Sequence, residues 1–257
     1  MKTFENKVFL VTGGSSGLGA ATAVLLAERG AKLVIAARRR DKGEAIQGQI
    51  EKSGGTAQFI ETDVTRRVDV EAMIAKTLDR FGRLDGAVNN AGITGATMTP
   101  VADIREEDWD STINTNLKAL WMCMKFEIPA MLANGGGSIV NLSSIYGLRG
   151  SDMGHGPYSV SKFGVIGLTK SAAIDYGDKG VRVNAVCPGY SHSEMVDPYV
   201  QAVPDLMKAT IGRHSAMNRL GESREIAEAI AWLLSDKASF VNGVALPVDG
   251  GTTTRLY

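Results

Sequence analysis

Tyr158 and Lys162, in the segment Tyr158-Ser-Val-Ser-Lys162, are the residues of this chain best suited to proton transfer. On a helix, residues i and i+4 lie on one face, with Cβ atoms roughly 5–6 Å apart. A tyrosine with its ordinary pKa of about 10 is a poor proton carrier at neutral pH, and a nearby positive charge favours the phenolate. The same spacing also fits an ordinary exposed helix face, so the pair needs support from other motifs.

A glycine-rich segment, Thr12-Gly-Gly-Ser-Ser-Gly-Leu-Gly19, gives that support because it joins a short apolar strand to a helix. Gly13 permits a tight turn, Gly17 lets the backbone approach a pyrophosphate, and Gly19 lets the helix lie close to the strand. The helix N-terminus around Leu18 presents free N–H groups and a positive dipole end to phosphates. The segment therefore predicts a dinucleotide site formed by Gly13, Ser15, Ser16, Gly17, Leu18 and Gly19.

Composition limits the remaining possibilities. The chain has 257 residues, of which 44 % are hydrophobic, which is enough for one large α/β domain over residues 1–257. Its 28 basic and 28 acidic residues balance, so it carries no electrostatic footprint for nucleic acid or an anionic membrane. No apolar run approaches the ~20 residues that span a bilayer. The first strand begins near Lys7, which leaves no room for a signal peptide, and we expect a soluble, cytoplasmic protein.

The cysteines and histidines predict neither a disulfide nor a metal site. Cys123 and Cys187 lie in apolar sequence and are interpreted as buried, reduced thiols. His155, His192 and His214 lack the spacing of metal ligands.

Seven short β-rich runs alternate with helical stretches of ten or more residues along the whole chain. This alternation predicts a doubly wound α/β fold with a seven-stranded parallel sheet and right-handed crossovers. No linker or internal repeat divides the chain. The predicted strands cover residues 8–11, 32–36, 57–60, 86–89, 138–142, 181–186 and 244–248.

Small or polar residues follow six of these strands at their carboxyl ends. In an open parallel sheet, ligands bind beyond that edge. Six loops on one edge therefore outline a single crevice. The residues concerned are Gly13 to Gly19, Arg38, Asp63, Asn89-Asn90-Ala91-Gly92, Ser143-Ser144 and Pro188-Gly189.

The end of the second strand indicates which dinucleotide is bound. An acidic residue there accepts hydrogen bonds from the ribose of NAD, whereas arginine suits the 2′-phosphate of NADP. The chain has Ala37 followed by three arginines, so we expect NADP(H) rather than NAD(H). Arg38 is the first candidate for the phosphate and Arg39 the second. The alternative is that the arginines only form a solvated helix entrance.

Two further polar residues lie near the predicted crevice. Asn116 is on the apolar face of a helix predicted over 106–133. A buried amide needs hydrogen-bond partners, and two interpretations are open. The amide bonds to neighbouring backbone, or it binds a water or stabilises a backbone kink that forms part of a proton path. Ser144 follows the fifth strand and is interpreted as a hydroxyl that holds a substrate oxygen. The residues around it form no Gly-x-Ser-x-Gly elbow of a hydrolase.

Together these motifs resemble the short-chain dehydrogenase/reductase family in its single-domain form, over nearly the whole chain. The resemblance implies that Tyr158 is the general acid/base and that Ser144 orients the substrate oxygen. It also implies that Lys162 lowers the pKa of Tyr158 and binds the nicotinamide ribose, and that Asn116 holds a water that links Lys162 to solvent. The matching segments also include Asp63-Val64, Asn90-Ala91-Gly92 and Asn184-Ala-Val-Cys-Pro188-Gly189.

The chain departs from the family pattern at three places. Ser193 replaces the threonine after Pro188-Gly189 and could still reach the nicotinamide amide. The glycine loop carries no basic residue, which some NADP-preferring members have. The spacing from Ser144 to Tyr158 is one residue longer than usual.

Residues 190–216, here called the lid, are predicted to cover the substrate. The lid residues Tyr190 and Met195, with Tyr146 and His155 opposite, predict an apolar pocket with a few hydrogen-bonding groups. We expect a neutral small-molecule secondary alcohol or ketone as substrate, with a cyclic or steroid-like skeleton. A 3-oxoacyl thioester on a carrier protein is the alternative substrate, disfavoured because residues 129–138 contain no basic side chain.

The resemblance also suggests a homotetramer, with the helices at 106–133 and 158–177 and the carboxyl-terminal strand at the interfaces. A different class of function stays open, that of a non-catalytic dinucleotide-binding redox sensor or scaffold. Loss of Tyr158 or Lys162 would indicate such a protein, and both are present.

Overall fold

A seven-stranded parallel sheet in the order β3-β2-β1-β4-β5-β6-β7 forms the centre of the molecule. The computed structural model describes residues 3–151, 153–194 and 196–254. All seven predicted strands are confirmed, and no end differs from the prediction by more than two residues. They are β1 (Val8–Thr12), β2 (Lys32–Ala37), β3 (Thr56–Glu61), β4 (Gly86–Asn89), β5 (Gly137–Leu142), β6 (Val181–Pro188) and β7 (Ala245–Val248).

Helices cover both faces of the sheet, as the doubly wound fold requires. Alternate residues of each strand face opposite sides, so Phe9 and Val11 pack under α1, α2 and α9, whereas Leu10 packs under α3, α5 and α6. The helices are α1 (Gly17–Glu28), α2 (Arg40–Lys52), α3 (Arg67–Phe81), α4 (Glu106–Ile113), α5 (Ala119–Leu132), α6 (Gly156–Tyr176), α7 (Asp197–Ala202), α8 (Pro204–His214) and α9 (Ser223–Leu234).

The long helix predicted over 106–133 differs from a regular α-helix at its centre. A π-helical turn, Asn114–Lys118, separates α4 from α5 and contains Asn116. Such turns re-aim side chains and are frequent at functional sites. The predicted helix over 158–177 begins two residues earlier than expected, because Pro157 has the fixed φ that suits a first helical turn.

The lid leaves the sheet after β6 and contains α7 and α8. Its first residues are paired with the segment that follows it: the Gly221 N–H donates to the Tyr190 carbonyl at 3.0 Å, and the His192 N–H donates to the Gly221 carbonyl at 2.9 Å. At the other end, the Met217 N–H donates to the Gly250 carbonyl at 3.1 Å. Both ends of the lid are therefore fixed by main-chain hydrogen bonds.

Both cysteines are free and buried, as expected. None of the helices in the described part of the chain is long and apolar enough to cross a membrane. Among the same residues, no cluster of side chains has the composition of a metal site.

Candidate active site

Ser144, Tyr158 and Lys162 come together at the carboxyl end of β5. Ser144 caps a short 3₁₀ turn, where its Oγ accepts a hydrogen bond from the Tyr146 N–H at 3.2 Å, and it lies close enough to Tyr158 to influence the pKa of that phenol. Lys162 is buried, and its Nζ donates to the Leu142 carbonyl at 2.8 Å. The same Nζ lies 5.4 Å from the centre of the Tyr158 ring. The helical i, i+4 spacing thus brings phenol and ammonium together, as the sequence predicted.

The electrostatics of this pair differ from what the resemblance implied. Burial raises the pKa of Tyr158 to about 12, and the nearby Ser144 hydroxyl acts in the opposite direction. Burial also lowers the pKa of Lys162 to about 8. The charge of Lys162 does not outweigh this rise, because desolvation disfavours the charged forms of both side chains and the Lys162 Nζ donates its hydrogen bond to the Leu142 carbonyl.

Asn116 lies in the π-helical turn and joins that turn to the loop after β4. Its Oδ1 accepts from the Ile93 N–H at 2.8 Å, and its Nδ2 donates to the Ile93 carbonyl at 2.8 Å and to Ser161 Oγ at 3.3 Å. Of the interpretations open from sequence, the structure favours an amide satisfied by neighbouring backbone, together with a backbone irregularity. Gly92 lies next to both Asn116 and Lys162. A Cβ atom added to Gly92 would be 3.1 Å from Asn116 Oδ1 and 3.8 Å from Lys162 Nζ.

The glycine loop after β1 is joined to the loop after β4. Asn90 Nδ2 donates to the carbonyls of Thr12 and Gly13, each at 3.1 Å. Gly13 has φ +65°, and a Cβ there would lie 2.9 Å from Ala91 Cα. A Cβ at Gly19 would lie 2.4 Å from the Gly13 carbonyl oxygen. Both positions therefore require glycine, for the turn and for close helix packing.

The start of α1 fits a dinucleotide phosphate. Gly17 has φ +51°, and Ser16 occupies the N-cap of α1 without a side-chain capping bond. The first N–H groups of the helix are therefore available to hydrogen-bond an anionic ligand. Gly17 has no Cβ, so a ligand can approach the backbone of this loop closely. These residues fit the pyrophosphate of a nicotinamide dinucleotide. Ser15 is buried in the same loop, Leu18 is partly buried, and both belong to the described part of the chain.

The carboxyl ends of β2 and β3 bring Arg38 and Asp63 near each other. Partial burial acts to raise the pKa of Asp63, but hydrogen bonds from Thr65 and the charge of Arg38 lower it overall. Val64 packs against the apolar cluster on the α3 side of the sheet. Arg39, the second candidate for a phosphate contact, is the arginine that reaches the glycine loop: its guanidinium donates to Ser16 Oγ at 2.7 Å.

Three of the predicted substrate residues meet next to Tyr158. The hydroxyls of Tyr146 and Tyr190 are hydrogen-bonded at 2.7 Å, which joins the catalytic wall to the lid. The Tyr146 ring centre lies 5.5 Å from that of His155 and 6.5 Å from that of Tyr158. Met195, the fourth predicted residue, lies outside the described residues.

Ser193 lies above the glycine loop, at the start of the lid. A Cβ placed on Gly17 would be 3.5 Å from Ser193 Cβ. Pro188 ends β6, and the Gly189 N–H donates to the Val248 carbonyl at 3.1 Å, which holds the strand end where the lid begins. The loops that carry the predicted cofactor residues therefore follow the carboxyl ends of the strands, at one edge of the sheet.

Sequence reasoning missed one buried polar group, the Glu127 cluster of Asn89, Glu127, Asn141 and Thr169. Asn89 Nδ2 donates to Glu127 Oε2 at 2.9 Å and to Asn141 Oδ1 at 3.1 Å, and Asn141 Nδ2 donates to Thr169 Oγ1 at 3.0 Å. Burial raises the pKa of Glu127 to about 7. The available signal was an acidic residue on the apolar face of α5, between Met124 and Met131.

A glycine-rich loop beside a serine, a tyrosine and a lysine, at the carboxyl edge of a doubly wound sheet, is typical of a dinucleotide-dependent oxidoreductase. The family model described as enoyl-(acyl carrier protein) reductase matches residues 13–253. The chain belongs to the short-chain dehydrogenase/reductase family. Members of this family use a nicotinamide cofactor, and the chain is an oxidoreductase that acts on CH–OH groups.

Curated relatives match almost end to end. An A-factor type gamma-butyrolactone 1′-reductase (1S-forming) from Streptomyces virginiae is 43 % identical over 96 % of this chain and 96 % of its own length. A 2,5-dichloro-2,5-cyclohexadiene-1,4-diol dehydrogenase from Sphingobium indicum is 41 % identical over 98 % of this chain and 99 % of its own. The crystal structure of levodione reductase superposes with a TM-score of 0.94 at 36 % identity, covering 98 % of this chain and all of that one.

Proposed function

We propose that this protein interconverts a small, neutral, cyclic secondary alcohol and the corresponding ketone, with NADP(H) preferred over NAD(H). The observation that carries the proposal is the meeting of Ser144, Tyr158 and Lys162 at the edge of the sheet that also holds the glycine loop. The bound nicotinamide would supply the hydride to the ketone, or take it from the alcohol.

The residues of the chain would hold the substrate oxygen and move its proton. A carbonyl oxygen placed between the Ser144 and Tyr158 hydroxyls would receive a hydrogen bond from each of them. Tyr158 is protonated at neutral pH and can therefore donate a proton to the substrate oxygen as the ketone is reduced. Lys162, positively charged below about pH 8, favours the phenolate that remains after the proton is donated.

Asn116 is proposed to position this cluster rather than to touch the substrate. Its amide fixes the main chain at Ile93, directly after Asn90-Ala91-Gly92. These three residues and Lys162 form the wall where the nicotinamide ribose would lie. Pro188, Gly189 and Ser193 would close the opposite side of the cofactor cleft.

The preference for NADP(H) rests on the charges at the end of β2. Alanine occupies position 37, and Arg38 and Arg39 follow it with exposed side chains. The contact between Arg39 and Ser16 puts a guanidinium beside the glycine loop, where an arginine suits a 2′-phosphate. Arg38 would contribute charge from the side of Asp63.

A cyclic substrate is supported by the relatives and by the shape of the pocket wall. One relative is named for a cyclohexadiene diol and another for a butyrolactone. In this chain Tyr146, His155 and Tyr158 present ring faces and edges to one another, and Tyr190 adds a hydroxyl from the lid. Aromatic walls with few polar groups favour a compact apolar ring over a charged or extended substrate.

The first experiment follows NADPH and NADH oxidation separately with a panel of cyclic ketones. Tyr158→Phe should lower kcat by about 10²–10⁴-fold because the proton donor is lost. Tyr176→Phe, at the end of the same helix, is the matched control and should keep full activity. Turnover with NADH alone would overturn the cofactor preference, and unchanged activity of Tyr158→Phe would overturn the mechanism.

The two alternatives predict different results in the same assay. A redox sensor or scaffold would bind the dinucleotide without turning over any ketone. A 3-oxoacyl thioester substrate would give activity with acyl thioesters and none with cyclic ketones. The absence of basic side chains in residues 129–138 counts against a carrier protein.

We also propose a homotetramer formed through α4–α5, α6 and the region of β7. These elements expose large apolar side chains, including Trp121 at 43 %, Phe163 at 48 % and Phe240 fully. A shallow apolar groove between α5 and α6 is lined by Leu117, Trp121 and Leu168. Apolar patches of this kind mark protein interfaces. Light scattering at micromolar concentration should give the mass of four chains, and a monomeric mass would refute the assembly.

A further inference from the structure

Glu194, in the lid, lies on the cationic side chains that follow β2. Its Oε1 accepts from Arg39 Nη1 at 2.8 Å and its Oε2 from Arg39 Nη2 at 2.6 Å, a two-pronged contact. Lys42 Nζ also donates to Glu194 Oε1. Arg39 Nη2 donates in addition to Ser16 Oγ of the glycine loop. A lid carboxylate is therefore surrounded by two cations and approaches the loop proposed to bind the cofactor phosphates.

The same donors fit a phosphate group. A phosphate monoester carries close to two negative charges and three acceptor oxygens, and a guanidinium fork binds carboxylate and phosphate in the same geometry. Arg39 and Lys42 at the start of α2, and Ser16 at the start of α1, supply such donors at the strand end where a dinucleotide presents its ribose 2′-position. Glu194 and a 2′-phosphate would compete for the same side chains.

We propose that Glu194 is an internal competitor for the 2′-phosphate of NADP(H), so that binding this cofactor requires the lid carboxylate to leave Arg39 and Lys42. This inference rests on the dinucleotide site of the proposed function. Glu194 thereby sets how strongly the chain discriminates NADPH from NADH. It also couples the identity of the bound cofactor to the lid, because Glu194 directly follows Ser193 above Gly17.

The contact is placed where it can be exchanged. Arg39, Lys42 and Glu194 have side chains that are 45 %, 45 % and 44 % exposed. Ion pairs at such exposure are weak individually, because water and salt screen them. A dianion that reaches the same cations can therefore displace the carboxylate, and removing the carboxylate should have a measurable but moderate effect on phosphate binding.

The test measures the dissociation constants of NADPH and NADH by fluorescence titration, without substrate. In Glu194→Gln the ratio of NADH to NADPH dissociation constants should rise about three- to tenfold over the wild type, because the cations are free for the phosphate. The matched control is Glu61→Gln, which removes an exposed carboxylate from neighbouring Arg40, 2.7 Å away. This control should leave the ratio unchanged.

A second comparison tests whether the effect of Glu194→Gln on the ratio depends on Arg39. In an Arg39→Ala background, Glu194→Gln should change the ratio much less than in the wild type. The proposal is overturned if Glu194→Gln leaves the ratio within twofold of wild type, or if Glu61→Gln shifts it equally. NADH binding to the wild type tests the dinucleotide site itself. If the wild type binds neither NADH nor NADPH, the proposed function is refuted. If NADH binds normally and Glu194→Gln leaves the ratio unchanged, only the role of Glu194 is refuted.

Discussion

Two polar groups lie side by side at the centre of this molecule, and they differ in how they are held. In the group of Asn116, Ser144, Tyr158 and Lys162, the amide and the ammonium are held by main-chain atoms, at Ile93 and Leu142. The Glu127 cluster is instead a chain of side chains bonded to side chains. Within the described part of the chain, Glu127 Oε1 and Asn89 Oδ1 have no hydrogen-bond partner.

Both groups contain a strongly shifted pKa, that of Lys162 in one and that of Glu127 in the other. A perturbed pKa therefore does not by itself distinguish the proposed proton-transfer group from a structural one. What distinguishes the two groups is whether solvent can reach the side chains and whether main-chain atoms hold them. Tyr158 is partly exposed to the cleft, whereas Glu127 is completely buried between α5 and the sheet.

Replacing Lys162 should have the largest effect on activity. Lys162→Met keeps the length of the stem but removes the charge that stabilises the phenolate, so kcat should fall by about 10²–10³-fold. A melting curve confirms that the variant is folded. Lys170→Met, an exposed position on the same helix, is the control and should retain wild-type kcat. A loss of less than tenfold in Lys162→Met would mean that both polar groups are structural.

Replacing Glu127 should affect stability and leave kcat unchanged. The folded-state pKa of about 7 is raised above the ordinary 4.5, so the stability that protonated Glu127 contributes is present below pH 4.5 and is lost as pH rises to 7. This loss in the free energy of unfolding between pH 4.5 and pH 7 amounts to about 3 kcal/mol, and Glu127→Gln should abolish it because glutamine does not ionise. Urea unfolding of both proteins at pH 5 and pH 8 measures it.

The stability difference between Glu127→Gln and the wild type should thus grow with pH. If the difference is the same at both pH values, Glu127 is not protonated by burial. If kcat falls as well, the Glu127 cluster is connected to the reaction and the contrast between the two groups fails.

The sheet and the catalytic spacing were predictable because their signals are local. Apolar runs mark buried strands, and the Tyr158 to Lys162 spacing needs only a helix to bring the two side chains together. The partner of Asn116 was not predictable in the same way. It depends on the loop at Ile93 folding back against a π-helical turn, and nothing in the adjacent sequence encodes that contact.

The contact between Arg39 and Glu194 joins residues 155 positions apart in the chain. The sequence around either residue does not predict its partner, because only the folded lid brings the two side chains together. Glu127 is a different case, since an acid on the apolar face of α5 was visible in the sequence. Its partners Asn89 and Asn141 come from two strands, so their convergence required the strand order.

The main-chain anchors of the lid have a consequence for how this scaffold can be altered. The lid leaves the sheet and returns at one place, where Tyr190 and His192 are paired with Gly221, and Met217 is held at Gly250. Residues between these anchors can be exchanged as a cassette, because their replacement leaves the anchoring hydrogen bonds and the sheet untouched. A chimera that carries the corresponding segment of a relative would therefore change the lid, including Ser193 and Glu194, while keeping Ser144, Tyr158 and Lys162 in place.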